Sequence, residues 1–399
     1  YFNSSKIKRV DDGNSQSNKA FTMVRECLVK ATDKKWARVI LFVSAILFAF
    51  GYWQSQSMRI GDLHAGAPAL HQDAQYNQDT FLISDRYAIS SDILKVIVEA
   101  YPAACTEYDT MERISRFQWR VENLAGVQSA VSLSSVAQAV NTGYNEGNLK
   151  WQTLPRNSAS LVQATSRVET STGLLNGDCS VMPVIIFMQD HKAETIDHVI
   201  SNIKLFAQEE GTDKVAFKLA SGPIGVMAAT NESVAAAQLP MMIYVYGAVI
   251  ILCLVSFRSV KATIAVVLPL YIVSTLAQAL MVKLEIGLTV STLPVIALGV
   301  GIGVDYGIYI LSSMMGQLKQ GVPLTAAYRN ALAERGSAVL FTGITLAIGV
   351  STWIFSALKF QVDMGILLTF MFLVNMLGAV LLLPAIGTLL WTDQKKNCE

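Results

Sequence analysis

Six long apolar runs set most of what this chain can become. They cover residues 36–53, 239–256, 260–282, 288–313, 337–357 and 364–391. A helix crosses the hydrocarbon layer with about 20 apolar residues, each rising about 1.5 Å. Inside lipid every backbone polar group needs an internal partner, so runs of this length fold as helices. Residues 54–237 separate the first run from the second and have the mixed composition of a water-soluble domain. The expected fold class is therefore an α-helical membrane bundle of six spans plus an external α+β domain. Overall 52% of the 399 residues are hydrophobic and 15% charged. A net charge of +1 gives no footing for nucleic-acid binding.

Basic residues orient the bundle. Nine basic and four acidic residues occur up to Arg38, and residues 1–35 read as a mobile, basic, cytoplasmic arm. They do not read as a secretory leader, because no short apolar stretch with a small-residue cleavage site follows. The second and third runs are joined through Arg258 and Lys261. The fourth and fifth are joined through Lys319, Arg329 and Arg335, and the tail 393–399 carries Lys395 and Lys396. The opposite short links hold only Lys283 and Lys359. Both termini are therefore expected in the cytoplasm, residues 54–237 outside, and residues 238–392 as a five-helix membrane region. Trp53, Trp353 and Trp391 sit near span ends, as an aromatic belt would place them. Residues 323–336 carry Leu324, Ala327, Tyr328, Ala331 and Leu332 on one stripe. They read as a short amphipathic helix on the cytoplasmic membrane surface, or as an ordinary linking helix.

The external domain alternates strand-like and helix-like patterns. Residues 92–100, 127–133, 181–189 and 214–220 read as strands, and 110–124 and 193–208 as helices. Residues 159–175 read as an extra helix. Two strand–helix–strand units in one domain suggest a ferredoxin-like split βαβ arrangement. Of five cysteines only Cys105 and Cys179 lie on the oxidising side. A disulfide between them would stabilise by about 4–5 kcal/mol in the chain-entropy model; the alternative is two unpaired thiols. All four histidines, His64, His71, His191 and His198, lie in this domain and read as solvated surface residues. They come with no metal-ligand spacing, cofactor motif or Ser-His-Asp context, so no enzyme chemistry is expected.

The fourth run contains the one acidic residue within these runs that demands a reason. Gly299, Gly303 and Gly307 recur every four residues, a stripe that lets a neighbouring helix come close. The glycines do not make a phosphate loop, since Tyr306 stands where the motif starting at Gly301 needs its last glycine. Asp305 points about 200° from the stripe, with Leu298, Gly301, Tyr309 and Ser312 on its face. A charged side chain near the membrane centre costs about 2.5–3.5 kcal/mol on insertion scales, so it belongs in a bundle interior or in water. On the fifth run Thr342, Thr345, Gly349 and Thr352 share a face. Thr342 and Thr345 lie about as deep as Asp305, and Asn375 on the sixth run is a further candidate. These groups are expected to form one polar pocket in which Asp305 carries protons. The plain alternative is a neutral, hydrogen-bonded Asp that only fixes helix packing.

The stretch GVGIGVDYGIYILS (299–312) resembles the Gly-rich, Asp-Tyr-bearing helix of the RND superfamily. The likeness is to the carboxy-terminal half-repeat of its MMPL-like lipid and hydrophobe exporters. The stretches GDLHAGAPAL (61–70), SGPIGVMAATNESV (221–234), FTGITLAIGVSTWIFSALKFQVDMG (341–365) and NMLGAVLLLPAIG (375–387) agree with it. The resemblance implies a transporter of the bacterial inner membrane, driven by proton influx, with residues 54–237 as a periplasmic porter-like domain. It carries the relay pair onto Asp305 and Tyr306 and the small polar positions of the next helix onto Thr342 and Thr345. Such proteins have two half-repeats and this chain has one. The expected partners are therefore membrane lipids, a hydrophobic substrate, and a second half-repeat, which is the other half of a longer polypeptide, a separate chain, or a second copy in a homo-oligomer. Other readings are a non-pumping, sterol-sensing-like membrane protein, or an accessory subunit of a larger assembly.

Overall fold

A computed structural model describes residues 17–391, so residues 1–16 of the basic arm and the tail with Lys395 and Lys396 lie outside the described residues. The chain runs α1 (Ser17–Val29), α2 (Lys34–Ser55), α3 (Gln75–Arg86), β1 (Ile93–Glu99), α4 (Tyr108–Glu122), β2 (Val127–Val131), α5 (Leu133–Tyr144) and α6 (Ser158–Thr165). It continues through β3 (Val181–Met188), α7 (Ala193–Glu210), β4 (Ala216–Ser221), α8 (Pro223–Phe257), α9 (Val260–Lys283) and α10 (Leu293–Lys319). Last come α11 (Leu324–Ala331), α12 (Ser337–Ser351), α13 (Lys359–Leu377) and α14 (Leu383–Leu390).

Among the described residues six helical segments are long and apolar enough to cross a membrane: Lys34–Ser55, Pro223–Phe257, Val260–Lys283, Leu293–Lys319, Leu324–Phe355 and Lys359–Leu390. The second is much longer than its apolar run. Its 35 residues extend about 52 Å, so its first turns stand outside the lipid. There Ile224 is buried in the sheet-domain core, and Glu232 pairs with Lys204 of α7. The domain boundary expected at 237 thus falls inside a continuous helix that joins the domain to the bundle. The fourth span starts at Leu293 rather than 288, because residues 288–292 form a turn closed by the Thr292 hydroxyl, which donates to the Gly287 carbonyl at 2.9 Å.

Helix α11 packs its apolar stripe against the bundle core, as a linking helix does. Its stripe residues Ala327, Tyr328 and Ala331 are buried, and it runs into α12 through a π turn over Leu332–Gly336. The anchor is Tyr328. Pro384, at the start of α14, has no N–H to give the carbonyl four residues back. That carbonyl, of Val380, accepts from the Tyr328 hydroxyl instead. Part of the expected mobile arm is also ordered: α1 packs on α11, and Arg329 bonds Glu26 at 3.0 Å.

The external domain is a four-stranded sheet in the order β2-β3-β1-β4, every neighbouring pair antiparallel. Alternation buries Leu94, Val96 and Val98 of β1 and Met182, Val184, Ile186 and Met188 of β3, as a sheet with one covered face requires. Met111, Ile114, Phe117 and Val121 of α4 and Ile196, Val199, Ile203 and Phe206 of α7 complete the same core. Cys105 and Cys179 are joined as a disulfide, Cα atoms 5.6 Å apart, tying the segment after β1 to that before β3.

Three local expectations are corrected. The second strand stops at Val131, because Ser132 caps α5 in a reciprocal box with Ser135. The helix expected over 159–175 ends at Thr165, and the chain turns through Gly173 in a left-handed conformation, φ 70°. His191 is not solvated: it is 3% exposed, its Nδ1 lies 3.0 Å from Asp92, and its Nε2 is buried with no partner among the described residues.

Candidate functional site

Helix α10 has two unlike faces. The glycine stripe is its packed face. A Cβ on Gly299 would meet Met371 at 2.3 Å, one on Gly303 would meet Asn375 Nδ2 at 2.4 Å, and one on Gly307 would meet Val266 at 3.1 Å. The missing side chains let α13 and α9 approach, as small residues do between membrane helices. Asn375, 3% exposed, donates from Nδ2 to the Gly299 carbonyl at 2.9 Å. It therefore sits on the stripe side and stitches α13 to α10. It does not join Asp305, contrary to the sequence-based expectation.

The other face carries Asp305. Leu298 and Tyr309 are each 48% exposed, and Gly301, Asp305 and Ser312 are exposed with them. Among the described residues no hydrogen bond or ion pair reaches the Asp305 carboxylate. Tyr306, next in sequence, turns inward; it is buried and its hydroxyl has no partner among the described residues. The expected pocket is thus not closed within the chain. Thr342 and Thr345 are both exposed, and the Thr342 hydroxyl donates to its own helix at the Ala338 carbonyl, 2.6 Å away. Helix α12 reaches the bundle through α13, where Gly343 packs on Met376. The hydroxyls and the carboxylate share exposure without touching.

Sequence reasoning missed a second polar feature. The Tyr246 hydroxyl of α8 lies 2.7 Å from the Ser274 hydroxyl of α9 and donates to the Leu270 carbonyl at 3.2 Å. Ser274 lines a groove of about 380 Å³ between α2, α8 and α9, together with Gln238, Thr275 and Gln278. A Tyr and a Ser on two different spans leave no spacing signal to find.

Among the described residues, six lipid-length helices with an α+β domain inserted after the first define a multi-pass membrane protein. More narrowly, the MMPL family model matches residues 102–396, and the chain belongs to that family. It is 27% identical over 138 residues to a membrane protein of Methanocaldococcus jannaschii, covering 35% of this chain and 36% of that protein. It is 31% identical over 91 residues to a membrane protein of Streptomyces coelicolor, covering 23% of this chain and 13% of that one. It is 30% identical over 108 residues to the probable transport protein MmpL12 of Mycobacterium tuberculosis, covering 26% of this chain and 9% of that one. The chain thus matches about a third of the length of the first of these relatives and much less of the other two.

Proposed function

We propose that this chain is one half of a proton-driven exporter of hydrophobic or amphiphilic molecules. Asp305 is the proton carrier, and the face that bears it closes against a second half of similar build. One observation carries this reading: a carboxylate lies exposed and unpartnered on a lipid-length helix. Left against acyl chains it would cost about 2.5–3.5 kcal/mol. A second bundle seated on that face would bring the carboxylate and the exposed Thr342 and Thr345 hydroxyls into a shared interior. There burial would favour the protonated form and hydroxyl donors the charged one, the balance a loading and unloading carrier needs. One charge crossing about 100 mV is worth about 2.3 kcal/mol, enough to hold roughly a fifty-fold gradient of a neutral cargo.

The external domain would take up cargo outside. Its strand order, antiparallel throughout, supports the ferredoxin-like split βαβ reading. The cluster of Lys261, Lys319, Arg329 and Arg335 at one end of the bundle supports cytoplasmic termini and a periplasmic sheet domain in a bacterial inner membrane.

The test is Asp305→Asn in proteoliposomes of the intact protein, with proton influx read by an entrapped pH dye under an imposed potential. Loss of flux in the Asn variant, with part regained by Asp305→Glu and unfolding midpoints unchanged, is the expected result. Normal flux through the Asn variant would remove the relay.

A further inference from the structure

Where the sheet domain meets the outer end of the bundle there is a built cavity of about 310 Å³. Its wall is the 61–73 segment, which backbone bonds hold on three sides. Gly61 N donates to Leu288 O at 2.9 Å, Ala193 N to Asp62 O at 2.8 Å, and Lys359 N to Ala69 O at 3.0 Å. Asn77, fully buried, accepts from Ala67 N at 2.7 Å and donates to His71 O at 2.8 Å. Gly287 passes so close that a Cβ there would lie 1.9 Å from Gly61 O. The wall is therefore preorganised rather than a loose loop, which lowers the cost of binding.

The lining decides the ligand. Four carboxylates, Asp62, Asp73, Glu285 and Asp363, face one lysine, Lys359, and the imidazoles of His64 and His71. Lys359 is already bound by Asp363, at 2.6 and 2.7 Å. With neutral imidazoles the formal balance is −4 + 1 = −3, and three carboxylates have no cation of their own in the cavity. Burial, with a smaller push from Asp363, holds the Asp62 carboxyl above its usual range, and His191, His64 and Lys359 pull it only partly back; a cation beside it would pull further. A second chamber of about 270 Å³ opens across Asp62, Thr289 and Phe360, and it is walled by Val226, Met227 and Val290. One end is acidic, and the other sets Val226, Met227, Val290 and Phe360 beside the neutral polar groups of Thr230, Asn231 and Ser291, a combination suited to a ligand with a charged head and a largely apolar body.

We infer that this two-chambered cavity binds amphiphiles with a cationic head, the ammonium group among the carboxylates and the apolar body against Phe360, Met227 and Val290. This claim goes beyond the export reading and does not depend on it, because it concerns equilibrium binding outside the proton path.

The test uses the intact chain in phosphatidylcholine nanodiscs and radiolabelled dodecyltrimethylammonium below its micellar concentration, with empty nanodiscs subtracted. Asp73→Asn/Glu285→Gln removes two exposed carboxylates and should weaken saturable binding at least tenfold. Phe360→Ala should weaken it several-fold. Dodecyl maltoside, which is neutral, should compete poorly with the wild type. Thermal unfolding of each variant verifies the fold. Non-saturable uptake, equal binding by the double-carboxylate variant, or equal competition by the neutral amphiphile would each overturn the assignment. Because proton flux is not measured, a failed relay at Asp305 leaves this outcome unaffected, and the converse also holds.

Discussion

The packing of α10 on α13 gives a prediction with a built-in control. In Gly303→Ala a methyl would arrive 2.4 Å from Asn375 Nδ2, 2.6 Å from its Cγ and 2.9 Å from Leu270. Ordinary contact begins near 3.4 Å, so Asn375 must retreat by about 1 Å. It cannot do so freely, because it is buried and its amide is bound to the Gly299 carbonyl. Overpacking of this kind costs about 1–3 kcal/mol, and losing an interhelical hydrogen bond in a membrane bundle costs about 0.6–1.7 kcal/mol. Together these come to about 2–5 kcal/mol. Gly301→Ala, half a turn away, meets nothing within 4 Å. Both changes share the same gain of up to about 1 kcal/mol from replacing glycine in a helix, so their difference isolates the packing term. Reversible unfolding in mixed micelles, followed by tryptophan fluorescence, should separate the two variants by about 2–5 kcal/mol. Equal stability would mean that α10 and α13 do not meet through the glycine stripe, and the assignment of its two faces would fall.

Two further expectations concern the external domain. Cys105 and Cys179 are 74 residues apart, for which loop entropy gives about 4.5 kcal/mol; the double Ser variant should lose about that much in denaturant unfolding, and reductant should not shift it further. The His191–Asp92 pair gives a pH dependence. Burial alone would lower the His191 pKa, but the Asp92 bond and charge, with Asp62 and Asp190, leave it raised. A raised folded value means the pair stabilises fully below the unfolded value of about 6.5 and loses that contribution as pH climbs through the folded value. Asp92→Asn should remove this fall in stability above about pH 6.5, read from melting curves at stepped pH; an unchanged slope would refute the pairing.

Much of the architecture could be read locally. Lipid-length runs announce six helices because the solvent requirement is set by length and composition, and alternation announces β1 and β3 because each buries one side. The stripe of Gly299, Gly303 and Gly307 marked a close approach for the same reason: helical period is a property of neighbouring residues. Local pattern failed where a competing backbone interaction won, as when Ser132 capped α5 and cut short a strand.

What each face meets is a different matter. Residue pattern alone fixes that there are six apolar spans and four strands, though not all of their ends, and that Asp305 points away from the glycines. Only tertiary packing decided that Asn375 belongs to the stripe, that Tyr328 answers a carbonyl freed by Pro384, and that His191 is buried. It also brought residues 61–73, 285–292 and 359–363 around one cavity, and it left the Asp305 carboxylate on an open face. Those facts depend on contacts between residues tens to hundreds of positions apart, and no spacing along the chain encodes which distant surface will arrive.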